Sequence, residues 1–268
     1  MAIAVRRLCS CLSEAGKASA LRRRSQMPAM RLSAVGVTEA VRGCATSQWR
    51  RIQGVLFDID GTLVDTDPLH LVAFRDCLKA GVSIEVDETF FKANISGRSN
   101  PDIARDLLPH LSDSEKEKWI VDKEEYFCDL ARSQIEPVQG LRELMTWIKT
   151  SGIKCAAVTN APRPNAEMLL GGINMADEFD ILVIANEEAH NKPHPEPYLA
   201  AMRKLGLQPE DCVAFEDSPT GATAAVAAGV HTIGILTSQT AEAMAAVGVK
   251  QCVGDYHEIL REIEAARK

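Results

Sequence analysis

Two carboxylates two residues apart, Asp58 and Asp60, follow the apolar run Val55-Leu56-Phe57 and precede Gly61-Thr62. A β-branched and aromatic run of this kind suits a buried parallel strand. It would end in a charged, tightly turning loop, where open α/β sheets hold their ligands. Asp-Gly after a strand is also an ordinary turn signal, so the pair alone does not define a site. Three later stretches supply what is missing: Val158-Thr159-Asn160, Asn191-Lys192-Pro193 and Glu216-Asp217-Ser218-Pro219. Together they offer an attacking group, a proton carrier and a positive charge, which are the requirements of phosphate ester cleavage. Two carboxylates this close should have their pKa values pushed apart, leaving one ionised and the other able to hold a proton.

The elements that must position these residues alternate at βαβ spacing. Strands are expected at 153–158, 181–184, 212–215, 232–235 and 251–253, and helices at 141–150, 164–170, 196–205, 220–228 and 256–266. That alternation argues a doubly wound parallel sheet with helices on both faces. Between the first strand and the rest, 67–136 is dominated by helical patterns. Leu69, Val72, Ala73 and Leu78 recur at helical spacing, and 114–133 carries Trp119, Ile120, Tyr126, Phe127 and Leu130. Asn100-Pro101 reads as an N-cap followed by a first-turn proline. The expected organisation is therefore a leader over 1–51, a core domain over 52–66 and 137–268, and an inserted all-helical cap over 67–136.

The ordered set FDIDGTLVDT, TN, KP and FEDSPTG resembles the haloacid dehalogenase superfamily of aspartate-nucleophile phosphohydrolases, over about 55 to 265. Through DPLHLVAF, AAVTNAP and KPHPEPYL the chain is similar to the helical-cap subgroup that includes plant sugar-phosphate phosphatases and β-phosphoglucomutase. The resemblance implies a Rossmann-like core and gives Asp58 the role of nucleophile and Asp60 that of general acid and base. Thr159 and Asn160 would bind the phosphoryl oxygens, and Lys192 would neutralise them and hold Asp58. Mg²⁺ is the implied cofactor, on Asp58, the Asp60 carbonyl and Asp217, with Glu216 beside them, because hard oxygens suit that ion. Helix capping by Asp217 or Ser218 is the plainer account of that segment. In the cap, His70, Arg98 and Lys123 are the candidate substrate contacts, with Arg98 reaching inward from the turn Gly97-Arg98-Ser99-Asn100. The function implied is a Mg²⁺-dependent phosphatase for a small phosphorylated sugar or polyol. A phosphosugar mutase is the alternative enzyme and a receiver-like phosphoacceptor module the alternative without turnover.

Charge is divided unevenly along the 268 residues. The first 51 carry ten basic residues against Glu14 and Glu39, a net +8, so the remainder carries −15 of the whole chain's −7. An Arg-rich, acid-poor start is the composition of an organellar transit peptide, with cleavage expected near Cys44 and a chloroplast destination, or else a mitochondrion. The acidic remainder opposes nucleic-acid substrates, and the uncharged run from Ser218 to Ala241 is cut by glycines, which opposes a membrane span. Cys9, Cys11 and Cys44 fall in the leader. Cys77, Cys128, Cys155, Cys212 and Cys252 show no C-x-x-C pair, so neither a zinc site nor a disulfide framework is suggested. His190 and His194 are four apart, but Pro193 and Pro195 forbid the helix that would align them on a metal. A monomer acting on a small phosphorylated metabolite is expected.

Overall fold

The computed structural model describes residues 49–132 and 134–267. The expected transit peptide, its processing site and its three cysteines lie outside the described residues, apart from 49–51. Six parallel strands form one sheet in the order β3-β2-β1-β4-β5-β6. They are β1 Gly54–Phe57, β2 Lys154–Thr159, β3 Ile181–Ile184, β4 Cys212–Glu216, β5 His231–Ile235 and β6 Gln251–Val253. β1 is central and wholly buried. Successive side chains point to opposite faces of a strand, so Val55 and Phe57 join one apolar cluster and Leu56 the other. Phe57 stacks on Phe215 at 5.2 Å between ring centroids and meets Tyr256 edge-on at 6.0 Å.

The chain runs from β1 outward through β2 to β3, then crosses β1 to lay down β4 on its other side. The order therefore reverses at β1, and the carboxyl ends of β1, β2 and β4 surround the crevice that such a reversal opens. Asp58, Thr159, Glu216 and Asp217 occupy those ends.

Four helices make up the insert that follows β1: α1 Asp67–Val82, α2 Glu88–Asn94, α3 Asn100–Leu107 and α4 Asp113–Ala131. Their starts follow from local chemistry. Asp87 accepts from the Phe90 amide, and Ser112 with Glu115 forms a reciprocal capping box. At α3 the cap is Ser99 rather than Asn100, with Pro101 one place further in. The Asn100 amide is engaged elsewhere, on Glu124. The cap leaves and rejoins the core at adjacent points, where Val64 bridges Pro137 in antiparallel sense and the Val138 amide donates to Leu63 O at 2.9 Å.

After the cap come α5 Leu141–Thr150, α6 Arg163–Gly172, α7 Glu196–Leu205, α8 Pro219–Ala227, α9 Ala241–Ala246 and α10 Tyr256–Arg267. The expected elements all occur, with ends shifted by a residue or two. The short α9 is the one helix of the core that the periodicity did not suggest; its six Ala-rich residues carry almost no pattern, and Thr240 supplies its cap. Phe57→Ala should lower stability by about 3–5 kcal/mol, because the stacked cluster around β1 cannot collapse into the void. Chemical denaturation measures this, and a loss under about 1 kcal/mol would contradict the packing described.

Candidate active site

Lys192 is the hinge of the site. It is buried between β2, β1 and β4, and its ammonium donates to Asp58 Oδ1, Glu216 Oε1 and Val158 O, each at 2.7 Å. Those contacts use all three of its protons. Its backbone is fixed by Asn160, whose Oδ1 accepts from the Lys192 amide at 3.1 Å and whose Nδ2 donates to the Lys192 carbonyl at 3.2 Å. Asn160, expected on the substrate, lines the cavity and also holds the lysine with both ends of its amide. Thr159 Oγ1 accepts from the Ala161 amide at 2.9 Å, which leaves its own proton to donate into the cavity it lines.

Burial would depress the Lys192 ammonium, but Asp58 and Glu216 outweigh it and raise its pKa. Asp58 and Asp217 are both displaced upward. Burial first, and then Glu216 and Asp60, push Asp58 up to about 7 despite the attraction of Lys192. Asp217 is raised well above its ordinary value by burial and by the neighbouring Asp58 and Glu216. The expectation that Asp58 is the ionised member of the pair therefore depends on a further cation.

Oxygens of Asp58, Glu216 and Asp217 lie within 4.8 Å of one another, all three residues being buried. Glu216 Oε1 is engaged by Lys192 and by the Tyr198 hydroxyl, while Oε2 is buried without a partner among the described residues. An all-oxygen, acid-rich cluster with an unsatisfied ligand atom fits a hard divalent cation. Two glycines permit the close approach. Gly61 has φ +75°, and a Cβ there would lie 2.0 Å from Asp217 Oδ2; a Cβ on Gly221 would lie 2.0 Å from Glu216 Oε2. Ser218 caps α8 and Pro219 is its first residue, so the capping account holds for Ser218 while Asp217 faces the cluster.

The cap closes this crevice into a cavity of about 590 Å³. Asp60, at its mouth, accepts from Thr66 Oγ1 at 3.1 Å and lies 3.5 Å from Nε2 of His70. The His70 ring stacks on Phe127 at 3.9 Å and 5°, and its Nδ1 is buried without a partner among the described residues. Arg98 lines the cavity, yet its guanidinium is committed to Asp106 and to Asn94 O at 2.9 Å. The inward reach expected of it is not seen, because the Asp106 carboxylate of α3 captures it first. Lys123 is fully buried, paired with Glu124 and 4.4 Å above the Phe74 ring, and does not line the cavity. Its place there is taken by Glu124, with Asn100 and Asn165; Asn100 stands in the cap-loop turn, where it reads as an N-cap, and Glu124 and Asn165 lie in none of the motifs. A signal existed: Lys123 lies four residues from both Trp119 and Phe127, on the buried face of α4, where charge needs a partner. His190 and His194 do approach, with rings 4.2 Å apart, but through an exposed turn, and Nδ1 of His194 is taken by the Glu196 amide.

A haloacid dehalogenase-like hydrolase model matches residues 52–229. A phosphorylated carbohydrates phosphatase of Thermotoga maritima is 31% identical over 185 residues, 68% of this chain and 84% of that protein. A fructose-1-phosphate phosphatase of Escherichia coli is 29% identical over 190 residues, 70% and 98% of the two chains. Among solved structures, a CbbY mutant of Rhodobacter sphaeroides in complex with xylulose-1,5-bisphosphate superposes with a TM-score of 0.71 at 28% identity, covering 79% of this chain and 99% of that one. The chain belongs to the haloacid dehalogenase-like hydrolases, and it is an enzyme of that family with phosphatases among its relatives.

Replacing Lys192 by Met should destabilise the fold by about 3–5 kcal/mol, because Asp58 and Glu216 would be left buried without their counter-charge. Denaturant titration at about pH 7.5 reads the loss; a change below about 1 kcal/mol would mean that the two carboxylates do not rely on the ammonium.

Proposed function

We propose that the protein is a Mg²⁺-dependent phosphatase that cleaves a small phosphorylated sugar or polyol through a phosphoaspartate on Asp58. The observation that carries this reading is the buried cluster of Lys192, Asp58, Glu216 and Asp217 at the floor of a metabolite-sized cavity. An oxygen of Asp58 attacks phosphorus, and the bond to the leaving oxygen breaks as Asp60 gives that oxygen its proton. Asp60 then takes a proton from water, whose oxygen attacks the phosphoaspartate and releases inorganic phosphate and the Asp58 carboxylate. Thr159 donates to a phosphoryl oxygen, and Lys192 keeps Asp58 oriented. His70, close to Asp60, orients that acid and bears on the leaving group. Asp58 and Asp217, with Glu216 and the Asp60 carbonyl at hand, would hold Mg²⁺, which when bound offsets the charge between the dianionic phosphate and the carboxylates.

Arg98 braces α2 against α3 in this reading, and its contribution to specificity is indirect. A receiver-like module is disfavoured by Asp60 and His70, which serve turnover and have no use in simple phosphoacceptance. Val121 and Leu236 are the exposed large apolar side chains among the described residues, which supports a monomer. No described helix is long and apolar enough to cross a membrane. The basic leader supports delivery to the chloroplast.

Asp58→Asn should lower kcat by at least about a thousandfold on a panel of sugar phosphates with Mg²⁺ while leaving the circular dichroism unchanged. Turnover within tenfold of the parent would sink the nucleophile assignment. Because Asp58 must lose its proton to ligate the cation, Mg²⁺ affinity should weaken as pH falls through about 7. Calorimetry between about pH 6 and 8 tests this, and a pH-independent affinity would overturn it.

A further inference from the structure

The cap wall of the cavity is governed by one buried carboxylate. Glu124, on α4, is 7% exposed and lines the cavity. Its Oε1 accepts from Lys123 and, at 2.6 Å, from Asn100 Nδ2; its Oε2 accepts from Asn165 Nδ2, on α6 of the core. Burial alone would raise this carboxyl, but the charges of Lys123 and His70 and its hydrogen bonds bring it below the usual range, so it is ionised. Two lone pairs of Oε1 are spent and one of Oε2, which leaves a single acceptor position. Each asparagine spends one N–H on Glu124, and its other N–H and its carbonyl have no partner among the described residues. The wall thus presents one charged acceptor flanked by two amides, a surface matched to hydroxyl groups.

The same cavity has no cation to spare for a second phosphate. Asp58, Asp60, Asp67, Asp102, Glu124 and Asp217 line it, against Arg98, Lys192 and His70, whose Nε2 faces Asp60 at 3.5 Å. Lys192 has used its three protons on the floor, and Arg98 is neutralised by Asp106. Lys123, which balances Glu124, stands behind it over Phe74 and does not line the cavity. A phosphate at the far end of a substrate would meet Glu124 as a like charge in a partly desolvated space, and would have no proton to give it.

We infer that Glu124, with Asn100 and Asn165, selects hydroxylated monophosphates and rejects bisphosphates, so that water and not a sugar phosphate is the phosphoryl acceptor. The inference rests on the phosphatase reading. It follows because transfer from phosphoaspartate to a hydroxyl of a monophosphate produces a bisphosphate, which a mutase must hold in both orientations. The CbbY relative is seen with xylulose-1,5-bisphosphate bound, and the inference sets this protein's preference apart from that ligand.

The test compares fructose 1-phosphate with fructose 1,6-bisphosphate, with Mg²⁺ and with p-nitrophenyl phosphate as a substrate that has no hydroxylated body. The parent enzyme should favour the monophosphate at least tenfold in kcat/KM. Glu124→Gln, which keeps the shape and removes the charge, should narrow that ratio about tenfold, mainly through a lower KM for the bisphosphate. Asp58→Asn protein titrated with the two sugar phosphates should show the same order of affinity, and this decides the matter if Glu124→Gln does not fold. Equal use of both sugars, or bisphosphate formed from the monophosphate and seen by phosphorus NMR, would overturn the inference while leaving a phosphatase. No cleavage of any of the three compounds would overturn both readings.

Discussion

An ammonium buried among two carboxylates and a carbonyl is the constraint on which the rest of the structure depends. Lys192 reaches Asp58 at the end of β1, Glu216 at the end of β4 and Val158 in β2. Those three oxygens meet only if the strands are parallel, adjacent and in register, with Leu56 opposite Ala156 on one side and Ala214 on the other. The apolar clusters on both faces of the sheet supply the stability that lets this charge be held dry. Asn160 completes the arrangement by gripping the lysine's own backbone.

The floor nevertheless carries more negative than positive charge. Asp58 and Asp217 are both displaced toward the protonated state by burial and by their neighbours. Functional sites are where such imbalance is kept, since it is relieved when ligand and cation arrive. The glycines at 61 and 221 allow carboxylates to crowd where any side chain would collide. On the opposite wall the balance differs: Glu124 is matched by Lys123 and two amides, so the cap is settled without a ligand and the floor is not.

Much of this was legible in the sequence, and the limits have physical causes. Strand-terminal residues were readable because an apolar run that stops abruptly at Asp, Thr or Glu-Asp puts a polar group at the edge of a parallel sheet where ligands collect. Four residues so marked, Asp58, Thr159, Glu216 and Asp217, converge on one floor with Lys192, which comes from the loop beyond β3. Asn160 lines the cavity as its motif suggested, and its hold on the Lys192 backbone was not foreseen, since an amide beside a loop does not announce that it will also bind backbone. Arg98 and Lys123 were chosen for their charge, and both were captured by nearer acids, Asp106 and Glu124. Cap contacts depend on how four helices pack, and helical periodicity tells which face is buried but not which helix it meets. Asn165 was out of reach for the same reason, because its partner Glu124 lies 41 residues away on α4.

The junction of cap and core has a consequence for how such a protein can change. The four helices depart after Val64 and return at Pro137, which bridge each other directly. The ends of the insert are therefore held together by the core whatever lies between them, and the entropy of closing that loop grows only slowly with its length. A segment joined in this way can be lengthened, shortened or exchanged without disturbing the register of β1. Selectivity can then drift with the insert, while the reacting groups, carried on a separate set of strands, stay as they are.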